Sequence, residues 1–365
     1  MMKTITLSLS LLMISIYVFG QEDPNLKGGG DVDKSTMDSL GLVNPVIQQK
    51  YNSAVKALTS NQDMQAIQLF TEVILMDELY VDAYFHRGQA FKNLGKTTEA
   101  IKDFEKTELI DPENHEAPYL KGVIQMETGD FKTASNSFQR AADINKSDEK
   151  YPYYKGVAEF QDKDYEAAIQ SFSEAINRKS DYAYAYNDRG SAKMQIDNIE
   201  GAISDYKNAI KYDNYLSFAY NNLGSAFKAN EDFTNAEKYY TEALKRDPKY
   251  YVAYNNRGTA RYENGKFKDA LSDFSKAIEL NPKYAYAYNN KASVYIQMEN
   301  YTEAVSNCNK ALELAPEYME AFVNRGIAKE MLKDLIGACA DWQDAFILGS
   351  ENAEQYVNGP ACTSK

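Results

Sequence analysis

The fold class that the sequence predicts is all-α: a solenoid of nine 34-residue helix–turn–helix units closed by a C-terminal capping helix. Three columns predict it. Sliding the chain by 34 residues from Ile47 aligns Ala66, Ala100, Ala134, Ala168, Ala202, Ala236, Ala270, Ala304 and Ala338. Twelve residues earlier each unit carries a small residue: Ala54, Gly88, Gly122, Gly156, Gly190, Gly224, Gly258, Ala292 and Gly326. Four residues after each alanine stands Phe70, Phe104, Phe138, Phe172, Tyr206, Tyr240, Phe274, Cys308 or Trp342. No insertion interrupts 47–352, and a period of this length sustained nine times marks a repeat architecture.

The first twenty residues, MMKTITLSLSLLMISIYVFG, stand apart from the repeats. Lys3 supplies a positive start, Ile5 to Phe19 an apolar stretch, and Val18 with Gly20 a cleavage site before Gln21. The expectation is a signal peptide over 1–20 and an exported protein, periplasmic or secreted; the stretch is short for an uncleaved membrane anchor. Residues 21–46 are polar, contain three consecutive glycines and read as a flexible leader. The whole chain has 365 residues and a formal net charge of −13. That charge argues against nucleic acid or an anionic membrane surface as the main partner.

Within 47–352 the columns have a physical meaning. Two antiparallel helices cross closely only where small residues meet, so the Gly/Ala and Ala columns predict the crossing, with the aromatic column filling the space beside it. Apolar residues recur at helical steps, as in Ala270, Leu271, Phe274, Ala277 and Ile278. Gly95, Gly129 and Gly265 mark turns between the helices of a unit, and Pro112, Pro248, Pro282 and Pro316 mark unit ends. The octet KYAYAYNN at 283–290, with its twin DYAYAYND at 181–188, alternates like a strand. Its separation of 102 residues is three periods, so the segment is read as the end of one unit and the first helix of the next. After 352 comes half a unit more, AEQYVNGP, with Tyr356 in the first-helix aromatic place; 353–365 are read as capping helix and tail.

The order tyrosine–glycine–alanine–aromatic–alanine–proline in YNNRGTARYENGKFKDALSDFSKAIELNP, residues 254–282, resembles the tetratricopeptide repeat family. The resemblance covers most of the chain. It implies a right-handed superhelix whose first helices line a concave face, and a protein-interaction scaffold rather than an enzyme. Units one, three and four depart from the pattern: Lys50, Pro118 and Pro152 occupy the first-helix aromatic place, which predicts first helices that start late there.

No chemistry-bearing constellation emerges. The histidines, His86 and His115, have no partners at metal-ligand spacing, and no phosphate loop or nucleophile elbow appears. No catalytic residue, metal or cofactor is expected. One pair of columns is informative. Arg87, Arg189, Arg257 and Arg325 accompany Asp103, Asp205, Asp273 and Asp341; Lys accompanies Ser or Asn, and Leu223 accompanies Tyr239. This co-substitution predicts Arg–Asp bridges tying the two helices of a unit, in place of an anion-binding row. Of three cysteines, Cys308 occupies the aromatic column as a buried thiol. Cys339 and Cys362 are placed so that a disulfide could pin the cap, with three free thiols as the alternative.

In the tetratricopeptide arrangement the fifth and sixth places of each unit lie on the inner wall. The fifth reads Tyr51, Phe85, Tyr119, Tyr153, Asn187, Asn221, Asn255, Asn289, Val323, and the sixth Asn52, His86, Leu120, Tyr154, Asp188, Asn222, Asn256, Asn290, Asn324. An uncharged amide both donates and accepts, so a row of asparagines can bond an extended backbone. A similar ladder lies in the superhelix of O-linked N-acetylglucosamine transferases. The expectation is an extended polypeptide held by Asn222, Asn256, Asn290 and Asn324 with Asn187, Asn221, Asn255 and Asn289, assisted by Tyr119 and Tyr153. The alternative is glycan or cell-wall binding, with Tyr51, Tyr119 and Tyr153 stacking on sugar rings. No fifth-place residue is lysine, so the carboxylate clamp that some members use on chaperone tails is absent.

Overall fold

The computed structural model describes residues 44–359 and Cys362; the signal peptide expected over 1–20 and nearly all of the leader expected over 21–46 lie outside them. The described residues are helical throughout, with no strand among them, and divide into two compact bodies, one up to Asp197 and one from Asn198. The first holds α1 (Pro45–Thr59), α2 (Asp63–Met76), α3 (Val81–Asn93), α4 (Thr97–Ile110), α5 (Glu116–Glu127), α6 (Phe131–Ile144), α7 (Lys150–Gln161), α8 (Tyr165–Arg178) and α9 (Ala183–Gln195). The second holds α10 (Ile199–Tyr212), α11 (Ser217–Ala229), α12 (Phe233–Arg246), α13 (Tyr251–Glu263), α14 (Phe267–Leu280), α15 (Ala285–Gln297), α16 (Tyr301–Leu314), α17 (Met319–Met331), α18 (Leu335–Ile347) and α19 (Glu351–Val357). Within each body every helix packs on its chain neighbours, and successive first helices also touch, as α11, α13, α15 and α17 do.

Helix starts differ in part from expectation. α5 and α7 begin one residue later in their units than α3 does, with Pro118 and Pro152 each at the third helical position, where a missing N–H costs nothing. The first unit does the opposite: α1 begins at Pro45, two residues before Ile47, because Asn44 caps it by accepting from the Val46 N–H at 3.0 Å. Second helices are capped in the same way by Asp130, Asp164, Asn198, Asp232 and Asp334.

The turn between the helices of a unit uses one backbone solution throughout. Asn61, Gly95, Gly129, Lys163 and Asp197 in the first body, and Glu231, Gly265, Glu299 and Lys333 in the second, all have φ between +56° and +80°. This left-handed residue ends the first helix, and only three of the nine are glycine.

At the crossing, the structure reassigns the glycine column. The alanine column is wholly buried, and at Gly88, Gly122, Gly156, Gly224, Gly258 and Gly326 the atoms nearest to an added Cβ belong to the aromatic ring of the same unit. A Cβ on Gly122 would lie 2.7 Å from the Phe138 ring, and one on Gly258 2.8 Å from Phe274. The eighth unit shows the converse. It has Ala292 in the glycine column, and opposite it the ring is replaced by the small, fully buried Cys308. At the C-terminus α19 places Ala353 at 0% exposure and stacks Tyr356 on Trp342 with centroids 4.7 Å apart. Cys339 of α18 and Cys362 are joined by a disulfide.

Candidate interaction surface

The asparagine columns occupy the middle of the first helices, and there they are already bonded. Asn256 Nδ2 donates to Asn221 Oδ1 at 3.0 Å, Asn290 Nδ2 to Asn255 Oδ1 at 2.9 Å, and Asn324 Nδ2 to Asn289 Oδ1 at 2.9 Å. Each bond joins the sixth place of one unit to the fifth place of the unit before. Asn289 in turn donates to the Tyr318 hydroxyl at 3.2 Å. In the first body the rung between α7 and α9 has different chemistry and the same register: the Tyr153 hydroxyl donates to Asp188 Oδ2 at 2.8 Å. Asn187 donates to Asp188 Oδ1 at 2.9 Å.

These side chains are not offered to solvent. Asn187, Asn221 and Asn222 are fully buried, Asn255, Asn256 and Asn289 nearly so, and Asn290 is the most open at 8% exposure. The expectation that Asn222, Asn256, Asn290 and Asn324 form a ladder open to a ligand backbone is therefore corrected. Close approach of successive first helices buries the amides, and buried amides must bond each other. The ladder is a clasp between units.

In the aromatic half of the wall the same correction holds for Tyr51 and Tyr153. Tyr51 and Tyr153 are buried, and Tyr119 is half-buried against Tyr151 and Tyr154, with the Lys150 ammonium 5.0 Å from its ring centroid. The buried rings present no face on which a sugar could stack. Desolvation pushes the Tyr51 and Tyr153 phenols well above the usual tyrosine range.

The Arg–Asp columns meet as two-point bridges. Arg257 donates from Nε and Nη2 to the two carboxylate oxygens of Asp273 at 2.9 and 2.7 Å. Arg87 with Asp103 and Arg325 with Asp341 repeat the geometry. Arg189 and Asp205 belong to different bodies; Arg189 donates to Ser173 Oγ at 2.9 Å. A contact absent from the sequence reading completes the column. The third nitrogen of each arginine reaches back one unit, to Thr71 from Arg87, Thr241 from Arg257 and Asn309 from Arg325. A polar residue two places after the bridging aspartate's column, in the preceding unit, is the sequence signal for it. These arginines are committed to holding helices together.

The two ends of the inner stripe are less buried than its middle, and residues four, seven and eleven apart share that helix face. Along α11, α15 and α17 the second place gives half-buried Phe218, Tyr286 and Glu320, and the thirteenth gives exposed Ala229, Gln297 and Met331. Among the described residues no group of three or more His, Cys, Asp or Glu side chains could hold a metal ion, and no helix is long and apolar enough to cross a membrane.

Family models described as Tetratricopeptide repeat match residues 81–114, 119–184, 183–215, 217–250, 251–284 and 285–318, well over half of the chain. The chain belongs to the tetratricopeptide repeat family. A tetratricopeptide repeat protein from Parabacteroides merdae ATCC 43184 is 17% identical, with 67% of this chain and 97% of that chain covered and a TM-score of 0.56. The Cut9–Hcn1 hetero-tetramer of APC/C is 15% identical over 84% of this chain and 62% of that chain, at a TM-score of 0.55. YrrB, a TPR protein with an unusual peptide-binding site, is 22% identical over 51% of this chain and 96% of that one, at 0.43. No curated protein sequence matches the chain. Tetratricopeptide repeats indicate a protein–protein interaction scaffold, a class whose members are typically non-catalytic, and that is the class of this chain.

Proposed function

We propose that this tetratricopeptide protein is exported and binds an extended polypeptide laid across its first helices. The observation that carries the reading is the clasp itself. Asparagine bonds hold α11, α13, α15 and α17 side by side in fixed register, so equivalent side chains recur at one helix spacing. Packed helices lie roughly 8–10 Å apart, and an extended chain advances about 3.3 Å per residue. Successive units then stand about three ligand residues apart, with the rim interrupted at α13, where the second place is the buried Val252. With the asparagines buried, contact falls to the second-place rim, where Phe218 and Tyr286 supply apolar area and Glu320 a charge.

Export is supported by the sequence of residues 1–20 and by the Cys339–Cys362 disulfide, a cross-link typical of oxidising compartments. The test is an array of extended decapeptides probed with the mature protein. Binding that tolerates sequence change and is lost in a Phe218→Ala/Tyr286→Ala variant of unchanged helicity supports the proposal. Peptides that bind only as preformed helices, or binding indifferent to both rim residues, overturn it.

A further inference from the structure

Among the described residues one buried side-chain polar atom has no hydrogen-bond partner, the hydroxyl of Tyr250. A buried hydroxyl left without a partner works against folding, so it calls for a reason. Tyr250 closes the sixth unit, caps the first helix of the next, α13, and is 8% exposed. Its counterparts in two other units show where a hydroxyl at this place aims. Tyr80, closing the first unit, donates to Gln48 Oε1 at the second place of that unit, at 3.3 Å. Tyr318, closing the eighth, accepts from Asn289 Nδ2 at the fifth place of its unit, at 3.2 Å. Both point at the inner wall, toward their own unit's first helix.

In the sixth unit neither partner is on offer. The second place is Phe218, and the fifth, Asn221, accepts from Asn256 at 3.0 Å and donates to Asn222. The Tyr250 hydroxyl therefore aims at a stretch of inner wall that holds no protein partner for it. That stretch belongs to the rim. Phe218 packs on the cluster that contains Tyr250 and Val252, and Val252 is the buried residue at which the rim is interrupted. Past the interruption the rings continue, with centroids 5.0 Å apart from Tyr251 to Tyr284 and 5.5 Å apart from Tyr284 to Tyr286. A chain laid from Phe218 to Tyr286 crosses the place of the orphan hydroxyl.

The spacing of the units selects the ligand's conformation. Side chains of a strand alternate, so residues three apart face opposite ways and cannot meet successive units alike. A polyproline II helix has three residues per turn and rises about 9 Å per turn, within the roughly 8–10 Å that separates packed helices. Every third residue then meets the wall in the same way. Its carbonyls have no internal hydrogen bonds and are free to accept, and proline brings no N–H of its own.

We propose that Tyr250 is the polar anchor of the rim, its hydroxyl donating to a main-chain carbonyl of a proline-rich segment bound in the polyproline II conformation between Phe218 and Tyr286. The inference rests on the extended-polypeptide reading and specifies the ligand of that site. Because the hydroxyl is sealed from water in the free protein, the segment reaches it by displacing the half-buried Phe218 ring that packs on its cluster.

The test titrates the mature protein with decaproline, N-acetylated and C-amidated, and with an alternating Val-Thr decapeptide, which favours the strand conformation. Decaproline should bind about tenfold more tightly, since its bound shape is preformed. Tyr250→Phe should weaken decaproline binding about two- to tenfold, the worth of one neutral hydrogen bond. The same change should raise the melting temperature of the free protein, because it removes a buried hydroxyl without a partner. Tyr318→Phe, which strips Asn289 of its acceptor, should lower it. Higher stability together with weaker binding is a result that a purely structural tyrosine does not give. A Tyr250→Phe variant that binds decaproline like the parent, or that is less stable because a water had been satisfying the hydroxyl, overturns the proposal. So does tighter binding of the Val-Thr peptide, which would leave the extended-polypeptide reading in place. If neither peptide binds, this inference fails, and the decapeptide array decides separately whether that reading fails with it.

Discussion

Asn256 and Asn221 stand 35 residues apart, and the amide of the first donates to the carbonyl of the second at 3.0 Å with both side chains essentially excluded from water. Repeated at Asn290–Asn255 and Asn324–Asn289, the bond sets how one unit sits on the next. Its consequence is that the asparagines act on stability first. Asn256→Ala leaves a buried Asn221 carbonyl without its donor, which costs roughly 1–3 kcal/mol. Joint replacement of Asn222, Asn256, Asn290 and Asn324 should lower the melting temperature and speed amide exchange in α11 to α17. A quadruple variant as stable as the parent would show that the clasp carries no weight.

Much of this was written in the sequence, but along a diagonal. The 34-residue columns reveal each unit's own pairs, and so Arg257–Asp273 is legible from co-substitution alone. Contacts between units run from one column to its neighbour at a step of 35. Read that way, Tyr153 faces Asp188 and Asn255 faces Asn290, while Tyr51 faces His86 and Tyr119 faces Tyr154, whose rings lie 5.9 and 5.4 Å apart. Each diagonal pair is chemically matched, which is the signature of contact. The vertical columns alone suggested a face turned to solvent, because periodicity shows which residues share a side and not how near the next helix comes.

The glycine and ring columns should be exchangeable as a pair. Cys308→Phe drives a ring against the Cβ of Ala292, a contact that the glycine-bearing units avoid, and overpacking of this kind costs about 1–3 kcal/mol. Adding Ala292→Gly should recover most of that loss, although the glycine alone destabilises a helix by about 1 kcal/mol. Denaturation of the two single variants and the double gives the coupling directly. An additive cycle would mean that the ring and the small residue do not meet.

The left-handed turn residue predicts stabilising changes. Lys163 and Glu299 adopt φ of +65° and +59°, a conformation that costs an L-residue roughly 1–2 kcal/mol. Glycine removes that cost and gives back about 0.4–1 kcal/mol through the greater freedom of the unfolded chain. Lys163→Gly and Glu299→Gly should each gain a few tenths to about 1 kcal/mol, whereas Gly265→Ala should lose a similar amount. Thermal melts of the three variants check the signs.

The cap should depend on its cross-link. α19 has seven residues, too few to be stable alone, and it rests on the Trp342–Tyr356 stack. The disulfide spans 23 residues, for which loop-closure entropy suggests about 3 kcal/mol. A dithiol reductant, or Cys362→Ser, should free the cap and expose the chain's single tryptophan, now 1% exposed. A red-shifted emission with faster exchange in 353–357, and no change before α15, is the expected result in a fold stabilised by neighbour contacts. Unaltered emission would mean that the aromatic stack suffices.

Alkali should unfold the chain cooperatively, and the sign follows from where the tyrosines sit. Desolvation is the main cause that raises the phenol pKa of Tyr51, Tyr151, Tyr153, Tyr182, Tyr240 and Tyr250 far above 10. In the unfolded chain the same phenols ionise near 10. A raised folded pKa means that the native state holds its protons while the unfolded state gives them up. Stability is therefore fully present below pH about 10 and falls as pH rises beyond it, by roughly 1.4 kcal/mol per pH unit for each phenol still protonated in the native state. With several such groups acting together, one or two pH units should exhaust the stability of an ordinary domain. Phenolate absorbance at 295 nm should then show a steep step that coincides with the loss of helical ellipticity. Tyr153→Phe should shallow that step, at the cost of leaving Asp188 without its hydroxyl donor. A gradual titration of all the tyrosines near pH 10 with helicity intact would mean that the phenols reach solvent in the native state.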